Sequence, residues 1–219
     1  MADGSLKEKV TEVFPDPDKL DPALRRAFEE ALERCFEWAR PVVMTRYFGS
    51  RKPTPKECKE LTGKDSHGQP LTDRWGWPLK QPISRAMQMG NEVEAEALKC
   101  LSNETALLDK LSKQGYTVSI HQTYQRNPAT GKVEHLPGTL VERMLGSGQS
   151  GKLSGSIEPD VVVHPSGFPN KIQAVYDYKF SCLGDKREWP TYGTGPHKGK
   201  TQGQVYEDLL GVPPIIIPR

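Results

Sequence analysis

Two short apolar runs joined by a turn constrain this chain more than any other feature. They are IEPDVVVH (157–164) and IQAVYDYKF (172–180), connected through PSGFPN. Short runs rich in Val, Ile and Tyr and bounded by Pro, Gly and Asn read as β-strands. A turn that short brings them together antiparallel. If His164 faces Gln173, paired positions sum to a constant and Asp160 falls opposite Asp177. Directly opposed residues place their Cβ atoms about 5 Å apart. Alternation then puts Lys179 on the same face as Asp177. Two carboxylates that close repel one another when both are ionised. One solution is a structural ion cluster, with one carboxylate protonated or the pair neutralised by Lys179. The other is a divalent cation between them, since Mg²⁺ takes one or two carboxylates and keeps water for a phosphate substrate.

The flanking sequence predicts mostly helix before this hairpin and a helix and strand after it. Residues 21–39 carry an apolar stripe at helical spacing (Leu24, Phe28, Ala31, Leu32, Cys35, Phe36), with Asp21 and Pro22 placed to start it. Residues 49–82, rich in Gly, Pro, Lys and Asp, read as an irregular linker. A second helix spans 83–101, and a short third one 104–113 stops at Gly115. From Tyr116 to Tyr124 the pattern alternates as in a strand, and Asn127–Gly131 makes a turn. Residues 139–145 fit strand or helix, and 146–156 is a Gly/Ser loop. Thr201 and Gln204 have capping-box spacing at the start of the last helix, and PPIIIPR suits a final buried strand.

Composition narrows the function classes. With 219 residues, the chain suits one domain with an extension, here 1–80 ahead of 81–219. A hydrophobic fraction of 35 % with 20 glycines and 19 prolines describes a loop-rich globular chain. A net charge of +2 means that any polyanion site must be local. The four cysteines are scattered, with no Cys-x-x-Cys, so neither zinc nor an iron–sulfur cluster is expected and disulfides have no sequence support. No apolar stretch marks a signal peptide or a membrane span, so the expectation is synthesis in a reducing cytoplasm and no membrane partner.

Pro159-Asp160 and Asp177-Tyr178-Lys179 resemble the paired motif of the PD-(D/E)xK nuclease superfamily. The predicted element order over about 83–217 is similar to that family's restriction-endonuclease-like core: helix, three strands, helix, strand. The fold class expected is therefore α/β (α+β), a mixed sheet flanked by helices, with an N-terminal helical extension. GNEVE resembles the acidic helix motif of exonuclease-type members and points to Glu94, the glutamate nearest the apolar stripe. QGQVY is similar to the Gln-x-x-x-Tyr motif of the RecB-like branch, through Gln202 and Tyr206, and Gly155 also fits that branch.

The resemblance implies a metal-dependent deoxyribonuclease. Asp160, Asp177, Glu94 and the carbonyl of Tyr178 would hold Mg²⁺ or Mn²⁺, Lys179 would orient the attacking water, and Gln202 would contact substrate or Lys179. Glu158 is a further acidic candidate beside Pro159. The basic and aromatic segment 185–200 is a candidate grip on DNA, through Arg187, Lys198 and Lys200 with Trp189 and Tyr192. The organisation is similar to that of bacterial competition toxins. These are delivered by secretion systems, with an immunity protein or a delivery chaperone as partner. Phage and repair exonucleases share the same core. A non-catalytic DNA-binding scaffold, or an unrelated binding protein with an ion cluster, remains the alternative from a different class.

Overall fold

Asp21 opens the fold: its carboxylate accepts the Leu24 amide at 2.8 Å, and Pro22 occupies the first turn of α1 (Pro22–Phe48). The computed structural model describes residues 19–73, 76–79, 81–184 and 188–218. α1 does not stop at residue 39 as the sequence predicts. It runs through Pro41 and buries Val43 and Phe48 beyond it. Tertiary burial of that extra apolar length outweighs the hydrogen bond that Pro41 removes.

The elements that follow are α2 (Pro55–Lys59), the short pair β1 (Leu61–Thr62) and β2 (Ile83–Ser84), α3 (Arg85–Ser102) and α4 (Thr105–Lys113). Then come β3 (Tyr116–Ile120), β4 (Thr123–Arg126), β5 (Val133–Leu136) and α5 (Gly138–Gly146). The chain closes with β6 (Val161–Pro165), β7 (Ala174–Tyr178), α6 (Gln202–Leu210) and β8 (Ile215–Ile217). The architecture is mixed α+β. The main sheet has the order β3-β6-β7-β8, antiparallel except for the parallel β7–β8 pair.

The expected hairpin register is present: Val163 pairs with Ala174 and Val161 with Tyr176. The expected single strand from Tyr116 to Tyr124 is instead two. β3 ends at Ile120, His121 adopts a left-handed φ of 50°, and β4 leaves to pair with β5 in a separate hairpin. Residues 139–145, which suited either strand or helix, are helical in α5, with Val141 buried.

Both faces of the main sheet are covered. Val161, Val163, Ala174, Tyr176 and Tyr178 pack with Phe28, Leu32, Phe36, Met89, Val93 and Ala97 from α1 and α3. Val162 and Val175 point the other way, to Tyr124, Ile157, Val205 and Tyr206. The result is a three-layer arrangement in which β6 and β7 read as unbroken apolar runs because neither face meets water. α1 and α3, which lie on either side of the expected boundary between 1–80 and 81–219, share one hydrophobic cluster with the sheet.

The four cysteines pair as Cys35–Cys100 and Cys58–Cys182. The first ties α1 to α3, and the second ties α2 to the segment just after β7. Sequence separations of 65 and 124 gave no local signal of either bridge.

Phe36 is 1 % exposed and stacks on Tyr178, centroids 5.9 Å apart. Phe36→Ala is expected to destabilise the protein by about 4 kcal/mol, the usual cost of emptying a buried aromatic position. The urea unfolding midpoint measures it, and an unshifted midpoint would mean that α1 is not part of the core.

Candidate active site

β6 lies at the centre of the site. Extending its two ladders by one residue places His121 beside Asp160 on the β3 side and Asp177 beside it on the β7 side. The His121 amide donates to the Asp160 carbonyl at 3.1 Å. The Tyr178 amide donates to Asp160 Oδ2 at 2.6 Å. Asp160 therefore sits where three strands meet, fixed through both its main chain and its carboxylate.

Asp177 is 2 % exposed and lies on the same face as Val175, toward α6. Its Oδ2 accepts a hydrogen bond from Lys179 Nζ. Glu94 comes from α3 in the opposite layer. Glu94, His121 and Asp160 each offer a ligand atom, all within 4.8 Å of one another. His121 Nε2 lies 3.4 Å from Glu94 Oε1, and its Nδ1 lies 3.7 Å from Glu158 Oε1.

Electrostatics follow from this crowding. Burial, reinforced by Asp177 and Glu94, raises the Asp160 carboxyl well above the usual carboxylate range. Burial also raises Asp177, with Lys179 pulling the other way. Full ionisation of the cluster is thus disfavoured by burial and by the closeness of its carboxylates. A set of two carboxylates and an imidazole is chemically suited to a divalent cation.

The remaining predicted residues divide into groups. Gln202 Nε2 donates to the Tyr206 hydroxyl at 2.6 Å, and that hydroxyl donates to the Glu158 carbonyl at 3.1 Å. The pair therefore clamps the segment leading into Asp160. Burial, with Asp177 and Asp160 nearby, raises the Tyr206 phenol far above its ordinary value and keeps it a donor. The Thr201–Gln204 capping box forms and fixes the start of α6.

Lys198 and Lys200 are exposed on the 191–201 loop. Tyr192 and Lys200 are joined there through the main chain, and the Lys200 side chain is engaged by Asp208. The loop is pinned where His197 Nε2 meets the Gly155 carbonyl at 3.0 Å. Gly155 has φ 80°, and a Cβ there would pack on Pro196 and His197. Arg187 lies outside the described residues.

His121 is the residue the sequence reading missed. The available signal was the register of 116–120 against 161–165, which runs on to place position 121 opposite 160. Comparison with protein-family models, with curated proteins and with solved structures gives no match. Among the described residues, no helix is long and apolar enough to cross a membrane.

Proposed function

We propose that this chain is a metal-dependent nuclease of restriction-endonuclease-like fold that hydrolyses phosphodiester bonds of DNA. The observation that carries this reading is Asp160 set in register between His121 and Asp177, with Glu94 converging from α3. The sheet order, with a final parallel strand after α6, accords with the same core.

Glu94, His121 and Asp160 would hold Mg²⁺ or Mn²⁺, with Asp177 nearby and the Tyr178 carbonyl as the further ligand that the resemblance implies. The cation would supply charge neutralisation at the scissile phosphate and a lowered pKa for the attacking water. Lys179, held by Asp177, orients that water and offsets charge on the pentavalent phosphorus. Asp177 fixes the ammonium rather than leaving it to swing on its four-carbon stem. Gln202 and Tyr206 keep the Glu158–Asp160 segment in place by a bond to main chain.

Plasmid DNA incubated with the protein and Mg²⁺ or Mn²⁺ is expected to be degraded, and EDTA or Asp177→Ala to abolish the reaction. Intact DNA and RNA under every divalent cation tested would sink the enzyme reading and favour a scaffold. Two disulfides are staples typical of proteins that work outside a reducing cytoplasm. They favour an exported competition toxin, with an immunity protein or delivery chaperone as partner, over a phage or repair exonuclease.

A further inference from the structure

Trp189 lies in the segment read from sequence as a grip on DNA bases, yet its surroundings indicate another role. A Cβ built on Gly203 would come within 2.7 Å of the indole Nε1 and 2.8 Å of both Cδ1 and Cε2. Near-equal distances to three adjacent ring atoms arise when the approach is onto the ring face. Gly203 is buried at the start of α6, and its lack of a side chain makes the recess that the indole fills. Tyr206 meets the indole edge-on, centroids 5.9 Å apart at 68°. The ammonium of Lys179 lies over the same ring, 5.4 Å from its centroid.

A ring packed on helix backbone and carrying an ammonium is a poor platform for a nucleobase. It is a good seat for a cation, because the face of an indole is electron-rich. We propose that Trp189 is a positioning residue for Lys179, and that Gly203 exists to admit its ring. The inference rests on the proposed hydrolysis, in which Lys179 acts on the attacking water. Asp177 and Trp189 then hold the ammonium from two directions, one through a carboxylate and one through a π face. The same indole also touches Tyr206, so the helix that clamps the approach to Asp160 also aligns Lys179.

The test compares Trp189→Ala, Trp189→Leu and Trp189→Phe in steady-state cleavage of a DNA oligonucleotide with Mn²⁺. With the alanine and leucine variants, kcat is expected to fall about tenfold with KM little changed, since the lost contact acts on Lys179 and not on DNA. The phenylalanine variant should recover most of the rate, because it restores a π face where leucine restores only bulk. Gly203→Ala should reproduce the loss in the unaltered background and cost nothing more when combined with Trp189→Ala, as expected of two residues acting through one contact.

A readout independent of activity is the ¹³C signal of dimethylated Lys179, assigned with Lys179→Arg. It should be displaced upfield by the indole ring current and return to the position of the other lysines in Trp189→Ala. A raised KM with kcat unchanged would overturn the inference and make Trp189 a DNA contact. Equal loss in the leucine and phenylalanine variants would reduce it to packing. Failure of the unaltered chain to cleave under any metal would instead overturn the proposed hydrolysis itself.

Discussion

Asp160→Asn is expected to lower metal-dependent DNA cleavage by about a thousandfold, the scale seen when one preorganised electrostatic group is removed. The same variant should leave the metal-free protein at least as stable at pH 7. The two results have one cause. Asp160 keeps some solvent access, but burial and the charges of Asp177 and Glu94 disfavour its ionised form. Its carboxyl titrates higher in the folded chain than in the unfolded one, where the ordinary value is about 3.9.

Between those two values the folded state binds more protons, so stability falls as pH rises through the window. Above the window the full penalty is present. The metal-free protein should therefore gain stability as pH is lowered through that window, and Asp160→Asn should flatten that gain. The substituted side chain retains an amide oxygen for the Tyr178 N–H, so the variant removes charge without orphaning that donor. Exposed carboxylates with lowered pKa, Glu57 and Asp208, pull in the opposite direction at lower pH and cancel in the comparison. Added Mn²⁺ should raise the melting temperature of the unaltered protein and not that of the variant. Calorimetry across pH, with and without metal, reads all of this. A variant markedly less stable at pH 7, or one with undiminished cleavage, would remove Asp160 from the metal site.

Loss of the disulfides should produce the largest change in stability. The Cys35–Cys100 bridge closes a loop with a separation of 65 residues. On the chain-entropy account such a bridge contributes about 4 kcal/mol. Cys58–Cys182, with a separation of 124, adds a further constraint, although the two loops overlap and their effects will not simply sum. Cys35→Ser with Cys100→Ser, and separately dithiothreitol on the unaltered chain, should move the denaturant midpoint well below that of the oxidised protein. Free thiols titrated in the native oxidised protein, or identical midpoints, would contradict the pairing.

The β6–β7 register was readable because side-chain alternation and a short turn leave few pairings that bury both Val runs, so Asp160 and Asp177 could be set opposite one another from sequence. Glu94 could be chosen because a helical wheel distinguishes it from Glu92, which the structure gives to Tyr47, Ser66 and Gln88. His121 could not be found in the same way. Its position depends on β3 pairing with a strand some forty residues downstream, and a backbone with positive φ breaks the pattern at the residue that matters. The place of α1 in the core was equally hidden. An amphipathic stripe says that a helix packs, and not on what. The Cys35–Cys100 pair is a long-range choice made by the same packing of α1 on α3, and Cys58–Cys182 by the seating of α2 against the segment after β7. Trp189 looked like a DNA contact because composition marks aromatic and basic loops alike, while the recess at Gly203 exists only once α6 is built.

The left-handed residue at 121 has a consequence for how the molecule assembles. It is the corner at which the chain leaves the main sheet and begins the β4–β5 hairpin. At that corner the imidazole lies within reach of Glu94 and Asp160, and just beyond it the hairpin is joined to the approach to Asp160 through the Tyr124 and Ile157 main chains. On the proposed reading, metal affinity would thereby depend in part on the seating of an element that contributes no other ligand. Any molecule that pried the small hairpin away would then disturb the proposed site without touching it.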